Sequence, residues 1–155
     1  MVKILFVCLG NICRSPTADE VMQKKVKERG IANRFEIDSC GTANYHTGEL
    51  SYPPTRAAFK KRYGYNMTHI ARQLKHEDFA YFDIIFAMDK DNLYDIKRKC
   101  PQKMLGKIHL YREFDPIPGD MEVPDPWYTR NFEEVLDMCE RTSDQIINAI
   151  LKSEL

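Results

Sequence analysis

An unbroken apolar run, Ile4–Val7, leads straight into Cys8-Leu9-Gly10-Asn11-Ile12-Cys13-Arg14-Ser15-Pro16. This junction constrains the fold more than any other part of the chain. A strand exposed on one face alternates apolar and polar residues, and this one does not. Continuous apolar character marks a strand buried on both faces of a parallel sheet, which needs helices above and below. Ser15-Pro16 reads as a helix start, with Ser15 as N-cap and Pro16 in the first turn. Ala18, Val21, Met22 and Val26 follow at helical spacing, and Gly30 ends the helix.

The rest of the chain repeats the alternation. Phe35–Ser39 predicts a strand, and Pro54–Tyr63 a helix closed by Gly64. Ile84–Met88 is a second buried run. A helix from about Lys90 to Lys99 follows, ended by Pro101, and Lys107–Leu110 predicts the last strand. Asn131 and Glu134 are spaced like a capping box, and Phe132, Val135, Leu136, Cys139, Ile146, Ile147 and Ile150 mark one face of a terminal helix. Strands alternating with helices predict a doubly wound α/β domain with helices on both faces of the sheet. Such folds bind ligands beyond the carboxyl ends of their strands, where Cys8 falls.

At 155 residues the chain has the size of one domain, 1–155. Lys plus Arg equals Asp plus Glu at 23 each, so no basic footprint points to nucleic acid. The apolar stretch Ile4–Leu9 is too short to cross a membrane. Five cysteines, at 8, 13, 40, 100 and 139, form no Cys-x-x-Cys pair, so no metal is expected. Free thiols suit a reducing cytoplasm.

A loop between a buried strand and a helix N-terminus can turn its N–H groups inward as an anion-binding nest. Gly10 permits positive φ, and Asn11 tolerates left-handed geometry. Arg14 offers a planar fork for two phosphoryl oxygens, and the positive surroundings favour a Cys8 thiolate. Ser15 can donate its hydroxyl to that sulfur. A cysteine ending an apolar strand is ordinarily inert; joined to Gly-Asn, to Arg14 and to Ser-Pro, it reads as a nucleophile. A loop curled round one phosphate also brings Cys13 towards Cys8. That gives Cys13 a redox role, capturing an oxidised Cys8 as a disulfide.

Cys8–Pro16, so near the N-terminus, resembles the low-molecular-weight protein tyrosine phosphatase family. Asp38–Thr42, Tyr45-His46, His69–Gln73, Met88-Asp89 and Asp125–Tyr128 fall where that family has comparable segments. The resemblance implies a flavodoxin-like, four-stranded parallel sheet with a phosphate-binding loop after strand 1. It implies catalysis through a phosphocysteine on Cys8, with Leu9, Gly10, Asn11, Ile12, Cys13 and Arg14 holding the phosphoryl group and no cofactor. Asp125 lies between Pro124 and Pro126, and turn statistics alone make it a turn residue; the resemblance makes it the general acid and base. It makes Tyr45, Trp127 and Tyr128 the walls of the substrate slot, and Ser39 and His69 supports acting through Asn11. Asp89 is first a helix cap and second a residue ordering the site. Asp115-Pro116, without following aromatics, reads as a turn. Cys40 stands where the family has a small residue, which adds a second candidate redox thiol. The implied partners are tyrosine-phosphorylated proteins, with a cognate tyrosine kinase among them, met by a monomer.

Three rival functions are weighed by residues. Arsenate reductases on this fold need further redox cysteines, and none lies between Ala43 and Lys99. Phosphoarginine phosphatases carry Thr where this chain has Ile12, and lack the paired aromatics after Asp-Pro. A non-catalytic phosphopeptide-binding module would lack the nucleophile or the acid, and both Cys8 and Asp125 are present.

Overall fold

The computed structural model describes residues 1–155. Parallel strands β1 (Val2–Cys8), β2 (Phe35–Gly41), β3 (Ile84–Ala87) and β4 (Ile108–Leu110) form one sheet in the order β2-β1-β3-β4. The helices are α1 (Arg14–Glu28), α2 (Pro53–Tyr63), α3 (His76–Tyr81), α4 (Lys90–Lys99), α5 (Pro126–Thr129) and α6 (Phe132–Leu151).

The two faces of β1 explain its unbroken apolar run. Ile4, Phe6 and Cys8 pack into one core with Ala18, Val21 and Met22 of α1 and Val135, Leu136, Ile146 and Ile147 of α6. Leu5 and Val7 point the other way, into a second core with Phe79 of α3 and Ile96 of α4. No position along the middle of the strand meets water, so none is polar. Phe6 stacks on Phe86 at 5.6 Å between ring centroids and meets the edge of Tyr111 at 5.5 Å. Each such fully buried ring is worth about 1.5–3 kcal/mol.

From β1 the chain crosses to β2 on one side, and later places β3 on the other. This is a switch point, where the carboxyl ends of adjacent strands part and open a crevice. Cys8 ends β1 there, and Met88-Asp89 follow β3 beside it.

Several boundaries differ from the sequence reading. Ser15 is not the N-cap: Cys13 holds that place, and Thr17 donates its N–H (3.3 Å) and its hydroxyl (2.6 Å) to the Cys13 carbonyl. The helix therefore opens at Arg14, and the Ser15 hydroxyl is free to face the loop. β2 runs on to Gly41 because Cys8 pairs with it in register. Lys107 ends a 3₁₀ segment, Gln102–Lys107, and is not the first residue of β4. Helix α3 escaped notice because its six residues bury only Asp78 and Phe79, too few for a period to show. Helix α4 spans the expected residues, and Asn131 caps α6 by accepting the Glu134 N–H at 3.0 Å.

Two residues need larger corrections. Asp115 is no simple turn residue: its carboxylate is wholly buried between Arg112 and Arg141. Cys40 is no reactive thiol near the loop. It pairs with Val7 and shares that residue's face of the sheet, opposite Cys8, and burial pushes its thiol well above the ordinary range.

Candidate active site

The loop from Leu9 to Cys13 is organised by spending its carbonyls on the surrounding protein. Cys8 and Leu9 carbonyls accept the N–H groups of Thr42 (2.9 Å) and Ala43 (3.0 Å), and the Ile12 carbonyl accepts that of Tyr52 (2.9 Å). The N–H groups of Leu9, Gly10, Ile12, Cys13 and Arg14 have no protein acceptor, and that of Asn11 points at Cys8 Sγ (3.3 Å). Oxygens out and hydrogens in is the build of an anion cradle.

Asn11, and not Gly10, carries the left-handed turn, at φ 58°. Its amide is fully committed. Nδ2 donates to Ser15 Oγ (2.8 Å) and Ser39 Oγ (3.1 Å), and Oδ1 accepts from His69 Nε2 (2.7 Å) and the Arg72 N–H (3.1 Å). Gly10 matters for space instead, since a Cβ there would sit 3.1 Å from His46 Cδ2. Gly41 matters more: its Cβ would lie 2.6 Å from the Leu9 carbonyl oxygen, a backbone atom that cannot swing aside.

Ser15 Oγ lies 2.9 Å from Cys8 Sγ. That oxygen accepts from Asn11 Nδ2, and its own hydrogen has two acceptors in reach, Cys8 Sγ and the Cys40 carbonyl (3.4 Å). Ser39 donates to Asp19 (2.8 Å), whose other oxygen accepts from Gln23 (2.6 Å). His69 Nδ1 faces Asp19 at 3.5 Å and Asp38 at 3.8 Å. Burial pushes the Asp19 carboxyl up to about 8 and moves the His69 imidazole down. Both shifts favour neutral partners behind the cradle, which leaves the charge to its front.

Arg14 is buried and occupied on one edge. Nη1 donates to Asp89 (2.7 Å) and to the Val123 carbonyl (3.1 Å), while Nη2 stands 3.6 Å from Asp125. Burial alone would lower its pKa, but Cys8, Asp89 and Asp125 outweigh that and hold the guanidinium charged. Asp89 keeps both expected roles, since its second oxygen accepts the Asn92 N–H (2.7 Å) and caps α4. Asp125 caps α5 through the Trp127 N–H (3.1 Å) and is partly open to solvent.

These groups line one slot of about 250 Å³. Cys8, Leu9, Gly10, Ile12, Cys13 and Arg14 form its floor, with Asp125, Tyr45, Trp127 and Tyr128 around the mouth. Tyr45 and Tyr128 are 70% and 79% exposed, so they stand as walls without a partner, while Trp127 leans on Tyr52 at 4.7 Å between centroids. Asn11, Ser15, Ser39 and His69 lie behind the floor. The sequence reading missed His46, which lines the slot and pairs with Glu49 at 3.0 Å. It also missed Asp19, whose signal was a carboxylate beside Ala18 on the apolar face of α1.

A thiol over unpaired amides, faced by a buried arginine and a capped aspartate, is the build of a cysteine-dependent phosphatase. Comparison with known proteins narrows that class. The family model for low molecular weight phosphotyrosine protein phosphatase matches residues 3–155, and the chain belongs to that family. The low molecular weight protein-tyrosine-phosphatase of Streptomyces coelicolor is 38% identical over 153 residues, 96% of this chain and 93% of that one. The human low molecular weight phosphotyrosine protein phosphatase is 42% identical, with 90% and 89% covered. A crystal structure of a protein tyrosine phosphatase from Entamoeba histolytica superposes with a TM-score of 0.95 at 38% identity, covering all of both chains.

The contact at Gly41 gives a direct expectation. Gly41→Ala must push the Leu9 backbone out of place, so it should cost about 1–3 kcal/mol in urea unfolding. It should also weaken inorganic phosphate binding at least about tenfold by calorimetric titration, since the cradle's amides move with Leu9. Parent-like phosphate binding would show that the cradle tolerates the shift.

Proposed function

We propose that this protein hydrolyses phosphotyrosine in proteins through a phosphocysteine on Cys8, with Asp125 as general acid and then general base. The observation that carries this reading is the 2.9 Å contact of Ser15 Oγ with Cys8 Sγ, held in place by Asn11 Nδ2, which donates to the same oxygen. Such a contact stabilises a sulfur anion both as nucleophile and as leaving group.

The Cys8 thiolate attacks phosphorus and the bond to the phenolic oxygen breaks. Asp125 gives that oxygen its proton. The phosphoryl oxygens take the unpaired loop N–H groups and the Nε–Nη2 edge of Arg14, the edge not committed to Asp89 and Val123. Water then attacks the phosphocysteine, Asp125 takes its proton, and inorganic phosphate leaves as Cys8 regains its charge. Tyr45, Trp127 and Tyr128 favour a phenyl ring over the shorter phosphoserine side chain.

The site is complete within one chain, which fits action as a monomer on phosphorylated proteins, a cognate tyrosine kinase among them. No helix is long and apolar enough to cross a membrane, and five free thiols fit the reducing cytoplasm.

Asp125→Ala should lower kcat/KM on phenyl phosphate by about 10²–10⁴-fold, and much less on 2,4-dinitrophenyl phosphate, whose leaving group needs little protonation. Steady-state rates on the two esters check this. Equal losses on both would take the acid role from Asp125.

Cys13 completes the proposal. It lines the slot with Cys8, and burial pushes its thiol up to about 12, so at neutral pH it stays protonated and leaves the nucleophilic role to Cys8. Peroxide would oxidise Cys8 to the sulfenic acid; Cys13 sulfur would then displace its hydroxyl as water and form the disulfide. Peroxide inactivation should be reversed by dithiothreitol in the parent and largely irreversible in Cys13→Ser. Equal recovery in both would remove the redox role.

A further inference from the structure

The acid loop hangs from a buried ion cluster that the slot does not contain. The Asp115 side chain is 0% exposed and takes four donors. Oδ1 accepts from Arg141 Nε (2.7 Å) and the Ile117 N–H (2.9 Å); Oδ2 accepts from Arg112 Nε (2.9 Å) and Arg141 Nη2 (3.0 Å). Those donors hold its carboxyl below the usual range although burial opposes them. Arg112, fixed in this way, turns Nη1 onto the Glu122 carbonyl (2.8 Å) and toward Asp120 (3.4 Å). Gly119 lies flat on the same guanidinium, where a Cβ would come within 2.9 Å of Nη2.

The next link reaches the site. The Val123 N–H donates to the Met88 carbonyl (2.8 Å), and its own carbonyl accepts from Arg14 (3.1 Å). Asp125 is two residues further on. Between Asp115 and Val123 the chain is mostly exposed, and only Met121, half-buried, packs against a core. Apart from the Arg112 bond, Glu122 is tied down through its carboxylate, which accepts the Lys90 N–H (2.9 Å). Buried ion clusters add little net stability, but they select one arrangement sharply, because every alternative strands a charge.

We propose that Asp115, through Arg112, is a positioning residue for Asp125, setting where the acid stands relative to the leaving oxygen. α6 supplies the fixed point through Arg141; the contacts run from there through Arg112 to Glu122, and the chain carries on through Val123 to Asp125. The inference rests on the assignment of Asp125 as the general acid. It predicts that loosening Asp115 harms protonation of the leaving group and spares attack by Cys8.

The test compares kcat/KM on phenyl phosphate with kcat/KM on 2,4-dinitrophenyl phosphate in Asp115→Asn, Asp125→Ala and the double variant. Asp115→Asn should raise the dinitrophenyl-to-phenyl ratio about tenfold, as expected for a slightly misplaced catalytic group. In the Asp125→Ala background the same change should move that ratio less than about twofold, because no acid is left to misplace. Arg112→Lys keeps the charge and loses the fork, so it gives the same readout if Asp115→Asn does not fold. A purely structural role would lower the urea midpoint and leave the ratio at the parent value. A parent-like ratio in the folded variants, or losses that simply add in the double variant, would overturn the proposal. If Asp125→Ala itself lacked leaving-group dependence, the acid assignment would fall and the positioning role with it, a result distinct from a parent-like Asp115→Asn beside a dependent Asp125→Ala.

Discussion

One buried amide holds the reactive loop in shape. Asn11 is fully out of solvent in a left-handed conformation, which asparagine tolerates better than most residues. Its four hydrogen bonds tie it to Ser15 on α1, Ser39 on β2, and His69 and Arg72 on the segment beyond. Losing any of them would leave a buried polar group unpaired, at a cost of about 1–3 kcal/mol. The turn at Asn11 sets the direction of the loop's N–H groups, and its Nδ2 holds the Ser15 oxygen beside the sulfur. The cradle's shape and the sulfur's hydrogen bond thus follow from the same side chain.

Charge is layered around that amide. Behind the cradle, burial favours neutral Asp19 and His69; at its front, Arg14 remains a cation facing Asp89 and Asp125. The arginine joins elements that are distant in sequence, bonding the cap of α4 and the Val123 carbonyl with one nitrogen. The carboxyl end of β3 and the Asp125 loop are therefore held by the same group that faces the slot. The sheet's switch point brings these pieces together, because β1 and β3 end side by side there.

Much of this was legible in the chain. Buried strands announced themselves because a doubly covered sheet leaves no room for alternation, and the Cys8–Pro16 loop carried its chemistry in consecutive residues. Asn131 and Gly64 marked helix ends through local backbone needs that any chain shares. What escaped were pairings set only by tertiary approach. Asp115 looked like a turn because its arginine on α6 lies 26 residues away. Ser15 looked like a cap, since Ser-Pro usually is one, and the cradle claimed its hydroxyl instead. His46 joins the slot only because the segment after β2 folds back over Gly10.

The central claim is a covalent phosphoryl group on Cys8. Mixing the Asp125→Ala variant with excess 2,4-dinitrophenyl phosphate should load that residue, because departure of this leaving group needs no acid while hydrolysis of the intermediate needs the base. Acid quenching within milliseconds, followed by peptide mass spectrometry, would locate the phosphate. The account predicts a phosphorylated peptide containing Cys8, absent when Cys8 is replaced by serine. A phosphate found on another residue, or turnover that survives in Cys8→Ser, would contradict it.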